Sequence, residues 1–585
     1  MSWPSGSKYP PWLLHAEEDF QLLDNLKLTT KKLGSGPIWS WMIDQLGWVG
    51  KVDELVEVAP EDCRVSVGER AKALLVNILT DRKALYKVQE FYEVYDVESL
   101  VGPDVASDAL NDDALGRALD AIHEAGIDGV LSMASFSALD FASVPLDRLH
   151  GDTTSMSFYG HYRNYRSAPD DEEGSRLEIT RGYSKDHRPD LKQVIFGMVT
   201  AHGIPLLASP ENGNLDDKTW NAQTIAKLAE SLPAQKLSQT LYIADSAAVT
   251  TKNLPLFHEH GVRFISRLPN TFAMCDKVKR SALERNYWED VGRLGERQDT
   301  ATYRIQSFHR EMDGLRYRFI AVQSSALDER KRKRLEKLIE TEYREFTRVA
   351  AEESERTYSC REDAERAAAE LFKSLKGYHT IEVQTNEEME VLKRPTRGRP
   401  RKDAPAPTRK VFRNRVTIHE PSPEALEEAR RVASMFVLIT NVLDEQAMSN
   451  VEVLQAYKEQ IEVEYRFRFL KSPYFVGPVY LQNPDRVEAF GCLMLMAVIL
   501  YATFEYMIRV QMAKESEPLI LPGKRKSMRP TGTSLLEMFD GLAMVLIHAD
   551  ERVIRKGPQV DGQPKRILEM LGAGTSVYSE MNKLA

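Results

Sequence analysis

The sequence predicts an α/β protein of several domains: a mixed-sheet core interrupted by an α+β insertion domain, preceded by a helical domain and followed by a C-terminal helical segment. Three observations predict it. Apolar residues recur at three- and four-residue steps from Leu33 to about Gly126. The texture then changes to short β-rich runs between Ala142 and Pro269. A long polar stretch follows before a second apolar block that ends near Val510. At 585 residues the chain is too long for one hydrophobic core.

Residues 1–30, rich in Pro, Trp and polar groups, read as an arm. Residues 31–135 read as a helical domain, with Ala71, Leu74, Leu75, Ile78 and Leu79 along one face, suited to DNA binding or dimerisation. Residues 140–270 form the first part of the core. Its strands are expected at Leu149–Phe158, Gln193–Ala201, Ile204–Ala208, Thr240–Ala244 and Val262–Leu268, with a helix over Lys218–Ser231. Gly203, Ile204 and Pro205 mark a tight turn. Residues 271–430 read as the insertion, a polar β-like part plus two long helical patterns meeting near Thr357–Cys360. Within it, 393–415 carries ten Lys or Arg against one acid, Asp403, and four prolines, and reads as a mobile basic linker. Residues 431–510, helical throughout, complete the core, and 511–585 read as helical, chiefly over Thr533–Ile554.

With 42% hydrophobic and 28% charged residues the composition is that of a soluble globular protein. The apolar run Ala489–Phe504 is shorter than the ~20 residues that span a bilayer and fits a buried helix, so no membrane is expected as a partner. No secretory signal is read at the N-terminus, and a cytoplasmic location is expected. Cys63, Cys275, Cys360 and Cys492 contain no C-x-x-C pair, which disfavours a zinc knuckle or a disulfide framework. A net charge of -9 means that any nucleic-acid binding must use locally concentrated positive charge. Neither a phosphate-binding G-x-x-x-x-G-K-[ST] loop nor a G-x-S-x-G nucleophile elbow is present.

Chemistry-bearing residues concentrate in a few places. In LHGDTTSMSFYG, alternation puts Arg148, His150 and Asp152 on one strand face. Asp245 ends the apolar run LYIAD ahead of a helix start, where it fits either a metal ligand or a plain helix cap. In YKEQIEVEYRFRFLKSP an unbroken helix would line up Tyr457, Glu464 and Lys471, seven residues apart and so within about 20° of one another, with Gln460 and Arg468 close by. Such a stripe fits either a metal and phosphate site or a solvent-facing polar surface. Lys185 and Arg188 of YSKDHRPD are candidate phosphate contacts. Arg397, Arg399 and Arg401 of RGRPRK surround a Gly-Arg-Pro core that resembles an AT-hook and suits an A/T-rich minor groove.

Taken together, LHGDTTSMSFYG, GYSKDHRPDLKQ, LYIADSA and YKEQIEVEYRFRFLKS resemble the insertion-sequence-four superfamily of DDE transposases, over most of the chain. SVGERAKALLVNIL followed by ALNDDALGRALD also resembles the helical domain that precedes the core in one branch. The resemblance implies an RNase H-like core with Asp152, Asp245 and Glu464 as catalytic, metal-binding acids. It implies two Mg2+ ions, replaceable by Mn2+, that stabilise entering and leaving oxygens during phosphodiester cleavage. Tyr457, Glu464 and Lys471 match the family's tyrosine, arginine, glutamate, lysine signature, but Gln460 stands at the arginine position; Arg468 or Arg466 is a candidate substitute. Trp288, beside Tyr287, is a candidate for the insertion-domain aromatic that in such relatives holds a flipped base, a core aromatic being the alternative. The implied partners are double-stranded DNA at terminal inverted repeats, target DNA and a second subunit, in a prokaryotic, nucleoid-associated setting. Cut-and-paste transposition, with hairpin ends in some relatives, is the implied activity. A domesticated non-catalytic DNA-binding protein and an RNase H-like structure-specific nuclease are the alternatives.

Overall fold

The computed structural model describes residues 26–56, 64–158, 177–294, 300–392, 407–471, 481, 483–549 and 552–579. Most of the expected N-terminal arm, and Arg397, Arg399 and Arg401, lie outside them. The chain divides into two compact units, Met1–Ile265 with Ala456–Ala585, and Ser266–Gln455.

The first unit begins with β1 (Leu26–Lys32), followed by helices that include Gly36–Leu46, Val67–Leu79, Asp112–Glu124 and Ile127–Phe141. Ser66 and Glu69 cap Val67–Leu79 reciprocally, each side chain meeting the other's backbone N–H, which fixes where this helix starts. Next come β2 (Arg148–Phe158), β3 (Lys192–Ala201), β4 (Ile204–Glu211), β5 (Leu241–Ala244) and β6 (Arg263–Arg267), in the spatial order β4-β3-β2-β5-β6. β2 and β3 pair antiparallel, as do β3 and β4, while β2 and β5 run parallel. A parallel pair needs a crossover connection, and the helix Asp217–Ser231 supplies it. This order and sense fit the RNase H-like mixed sheet that the resemblance implies. The tight turn joins β3 to β4 through His202 and Gly203, both at positive φ.

In the second unit, β7 (Glu289–Arg293), β8 (Thr302–Met312) and β9 (Leu315–Ser324) precede the long helix Ser325–Glu355 and the helix Arg361–Ser374. Then come β10 (Thr380–Val391), β11 (Thr408–His419), the helix Pro423–Ala433 and β12 (Met435–Thr440). An antiparallel sheet runs in the order β12-β9-β8-β7. Two expectations change here. Residues 408–415 are not linker but part of β11, whose cations find acids on β10: Arg409 meets Glu390, Lys410 meets Glu387 and Arg413 meets Glu388. The helical reading of 431–510 is broken by β12, whose six residues are all buried, so that its apolar run has no polar face to betray a period.

The chain returns to the first unit with the helix Pro484–Met512, long and apolar enough in composition to cross a membrane, yet almost wholly buried. It packs on Val67–Leu79, Asp112–Glu124, Ile127–Phe141 and β4. A short hairpin, β13 (Leu519–Leu521) with β14 (Arg525–Ser527), precedes β15 (Ala543–Ala549) and β16 (Arg552–Lys556). The helix expected over 533–554 therefore gives way to strands: Met544 and Leu546 are buried in alternation, and β15 pairs with both β1 and β16.

Candidate active site

Asp152 and Asp245 are brought together by strand register. Gly151 of β2 lies opposite Ala244 of β5, so that the next residue on each strand presents a carboxyl at the carboxyl end of the parallel pair. Gly151 is required by close packing. A Cβ there would fall 2.2 Å from the Tyr242 hydroxyl, which passes beneath β2 and donates to Asn221 Oδ1. Gly197 on β3 makes room in the same way for the indole of Trp220.

A third aspartate, not singled out from the sequence, joins them. Asp217 opens the helix Asp217–Ser231, accepts a hydrogen bond from the Thr153 hydroxyl and lies 3.3 Å from Lys185 Nζ. Its neighbour Asp216 does the capping, accepting from the backbone N–H groups of Lys218 and Thr219. That division of labour was the available signal, since one cap suffices for one helix start. Lys185 Nζ also lies 3.5 Å from Asp152 Oδ1 and donates to the Thr153 carbonyl and hydroxyl at 2.7 Å each. Burial pushes the Asp152 carboxyl up to about 6; Lys185 pulls it down, while Asp245 and Asp217 add to the rise. Asp245 is raised too, mainly by burial and further by Asp217, although the Ala247 N–H donates to it. Three acids against one ammonium leave an excess of negative charge on hard oxygen donors, the donor chemistry that suits Mg2+ or Mn2+.

The stripe expected from Tyr457 to Lys471 is not one helix. Asn450–Lys458 ends, a turn follows at Glu459 and Gln460, and Ile461–Lys471 begins. An unbroken helix would give the Ala456 carbonyl to the Gln460 N–H. Instead His150, buried and kept neutral by that burial, approaches this carbonyl with Nε2 at 3.2 Å, and Gln460 N–H turns to Tyr457 O. Arg148 anchors the turn through Glu459 at 3.0 Å. Glu464 and Lys471 thus share a helix and Tyr457 does not. Ile461–Lys471 packs against β2, with Glu464 exposed. Among the described residues no three His, Cys, Asp or Glu side chains converge closely enough to hold a metal ion.

The remaining candidates are placed as follows. Lys471 Nζ is 2.5 Å from Asp186. Arg188 pairs with Asp190 on the surface. Arg468 is exposed, its guanidinium 5.3 Å from the Tyr465 ring centre. Arg466 is buried, donating from Nε to Gly203 O at 2.8 Å and pairing with Glu505 at 2.7 Å, so it braces the core instead of facing a phosphate. Trp288, in the second unit, is half-buried with the Arg304 guanidinium 5.8 Å from its ring centre.

The site is thus a group of carboxyls at the ends of neighbouring strands of a mixed sheet, beside a helix that opens with a further acid. Comparison with known families agrees. The model of the transposase DDE domain matches residues 152–500, well over half of the chain, and the protein belongs to that family of DNA transposases. Residues 28–135 match a domain of unknown function (DUF4277). Among solved structures, the piggyBac transposase in a synaptic complex with hairpin DNA is similar at 8% identity and a TM-score of 0.35, over 86% of this chain and 80% of that one. No curated protein matches.

Proposed function

We propose that this transposase cuts DNA at the ends of its own mobile element and joins the released ends to a target, with Asp152, Asp245 and Glu464 as its essential acids. The observation that carries the reading is the placement of Asp152 beside Asp245 by the register of β2 and β5 within a DDE domain. Asp152 and Asp245 would hold Mg2+ or Mn2+, and Glu464, on the helix packed against β2, would complete the set once metal and DNA draw it in. When bound, such ions polarise the phosphodiester and stabilise the entering and leaving oxygens. Water attack on phosphorus breaks the bond to the 3' oxygen and leaves a 3'-hydroxyl. That hydroxyl then attacks a target phosphodiester, one P–O bond forming as another breaks, so no nucleotide cofactor is consumed. Lys471 supplies positive charge to a backbone phosphate, and Tyr457 and Gln460, at the other end of its helix, add uncharged donors to a second one. RGRPRK contributes contacts to the minor groove, and Trp288 offers a stacking face to an unpaired base. Two subunits, one on each element end, coordinate the cuts in the cytoplasm.

The test is to incubate the purified protein and Mg2+ with DNA carrying the sequences that flank its coding region. Metal-dependent nicks at defined ends are expected. Asp152→Asn, Asp245→Asn and Glu464→Gln should each abolish them while DNA binding survives. Retained cleavage in any of these variants sinks the assignment of that acid.

A further inference from the structure

Lys185 and Asp186 are neighbours in sequence with opposite charges, and each is taken up by an opposite charge of the site. The Lys185 ammonium lies among Asp152, Asp217 and Thr153 oxygens, while the Asp186 carboxylate sits against Lys471. The turn that carries them is firmly built. Lys185 N–H donates to Ser155 Oγ on β2. Ser184 Oγ accepts from the N–H groups of both Asp186 and Arg188. The Gln193 amide donates to Tyr183 O from the start of β3. An ammonium therefore occupies the place of a cation between two carboxylates, and a carboxylate occupies the place of an anion on the signature lysine.

We propose that the Lys185–Asp186 dipeptide is an internal plug, standing in for a metal cation at Asp152 and Asp217 and for a DNA phosphate at Lys471 until both ligands displace it. The proposal rests on the reading of Asp152 as a metal-holding acid and Lys471 as a phosphate contact. Because the two residues share one turn, a shift of that turn breaks both ion pairs. Whichever ligand binds first has to break the plug, and the second then binds more readily, which is positive coupling between metal and DNA. Asp217 belongs to this device, since it holds the Lys185 ammonium together with Asp152.

The test uses the full chain and two probes, Mn2+ followed by electron paramagnetic resonance and a double-stranded oligonucleotide followed by fluorescence anisotropy. Lys185→Met should bind Mn2+ about tenfold more tightly than the parent without DNA, because a competing charge is gone. Asp186→Asn should bind the oligonucleotide several-fold more tightly without metal. Lys471→Gln should flatten the parent's plot of log affinity against log salt by about 0.9, the loss of one phosphate contact. Unchanged or weaker Mn2+ binding in Lys185→Met, or unchanged or weaker oligonucleotide binding in Asp186→Asn, overturns the plug. The double variant Lys185→Met with Asp152→Asn separates the failures. If it loses Mn2+ while Lys185→Met alone shows no gain, only the plug fails; if it still binds Mn2+ tightly, the metal reading of Asp152 fails and the plug with it. Asp186 faces solvent, so its arm remains readable even if Lys185→Met does not fold.

Discussion

Asp152 lies in β2 and Asp245 directly follows its parallel neighbour β5, whereas Glu464 stands exposed on an 11-residue helix that starts just after another one ends. Strand register positions the first two to within the tolerance of a backbone ladder. Helix packing positions the third, through the buried Arg466, which ties this helix to the β3–β4 turn at Gly203 and to Glu505 on Pro484–Met512. Backbone register holds the two aspartates, whereas side chains hold the helix of Glu464: the buried Val463, Phe467, Phe469 and Leu470 and the Arg466–Glu505 pair.

The largest effects should come from the acids themselves. Asp152→Asn, Asp245→Asn and Glu464→Gln should each lower the cleavage rate by about a thousandfold or more, a barrier increase of about 4 kcal/mol. Their melting temperatures should differ. Asp152→Asn removes a carboxyl that burial and two other aspartates disfavour in its charged form and should raise Tm, whereas Glu464→Gln at an exposed position should leave it alone. A Tm that falls in Asp152→Asn would mean that the Lys185 ion pair outweighs burial at this carboxyl.

Next in size is the brace. Arg466→Met leaves Glu505 buried with one fewer cation and should cost about 3–5 kcal/mol in a denaturant titration, whereas Arg466→Met with Glu505→Leu should recover most of that loss. The pH dependence has a definite sign. Burial alone would raise the Glu505 carboxyl, but Arg466, Arg509 and the Gly532 N–H hold it below its ordinary value. Its stabilisation is therefore complete above the unfolded value of about 4.3 and is lost as pH falls through the lower folded one. The double variant should lose less stability than the parent across that acid range.

Gly151→Ala, which puts a methyl against the Tyr242 ring, should cost about 1–3 kcal/mol and impair cleavage through displacement of Asp152. The smallest effect belongs to the outer charges of the second unit. Glu340 and Arg344, exposed partners on Ser325–Glu355, should each tolerate replacement by Gln with less than about 0.5 kcal/mol of change.

The sequence made the strand-borne acids legible because alternation and the end of an apolar run are local signals, and both aspartates fall on them. The turn at Glu459 and Gln460 was not legible: no Gly or Pro marks it, and its cause is His150, some three hundred residues earlier, taking a carbonyl from the helix. β12 and β15 look helical in sequence because short apolar runs carry no period that separates the two states. β11 looks like linker in sequence because its cations are balanced by glutamates on a strand that the local composition does not reveal. Asp217 hid behind Asp216, which already explained the helix start.

β1 pairs with β15, so that Thr29 reaches His548 across 519 positions of sequence. At a synthesis rate of about 5–20 residues per second, that closure waits for nearly the whole message to be translated. The aspartates at 152 and 245 leave the ribosome long before the helix with Glu464, since residues 266–455 are made in between. A nascent chain therefore carries Asp152 and Asp245 for some time before the helix with Glu464 exists, so any chemistry that needs all three acids waits until residues 456–471 have been made.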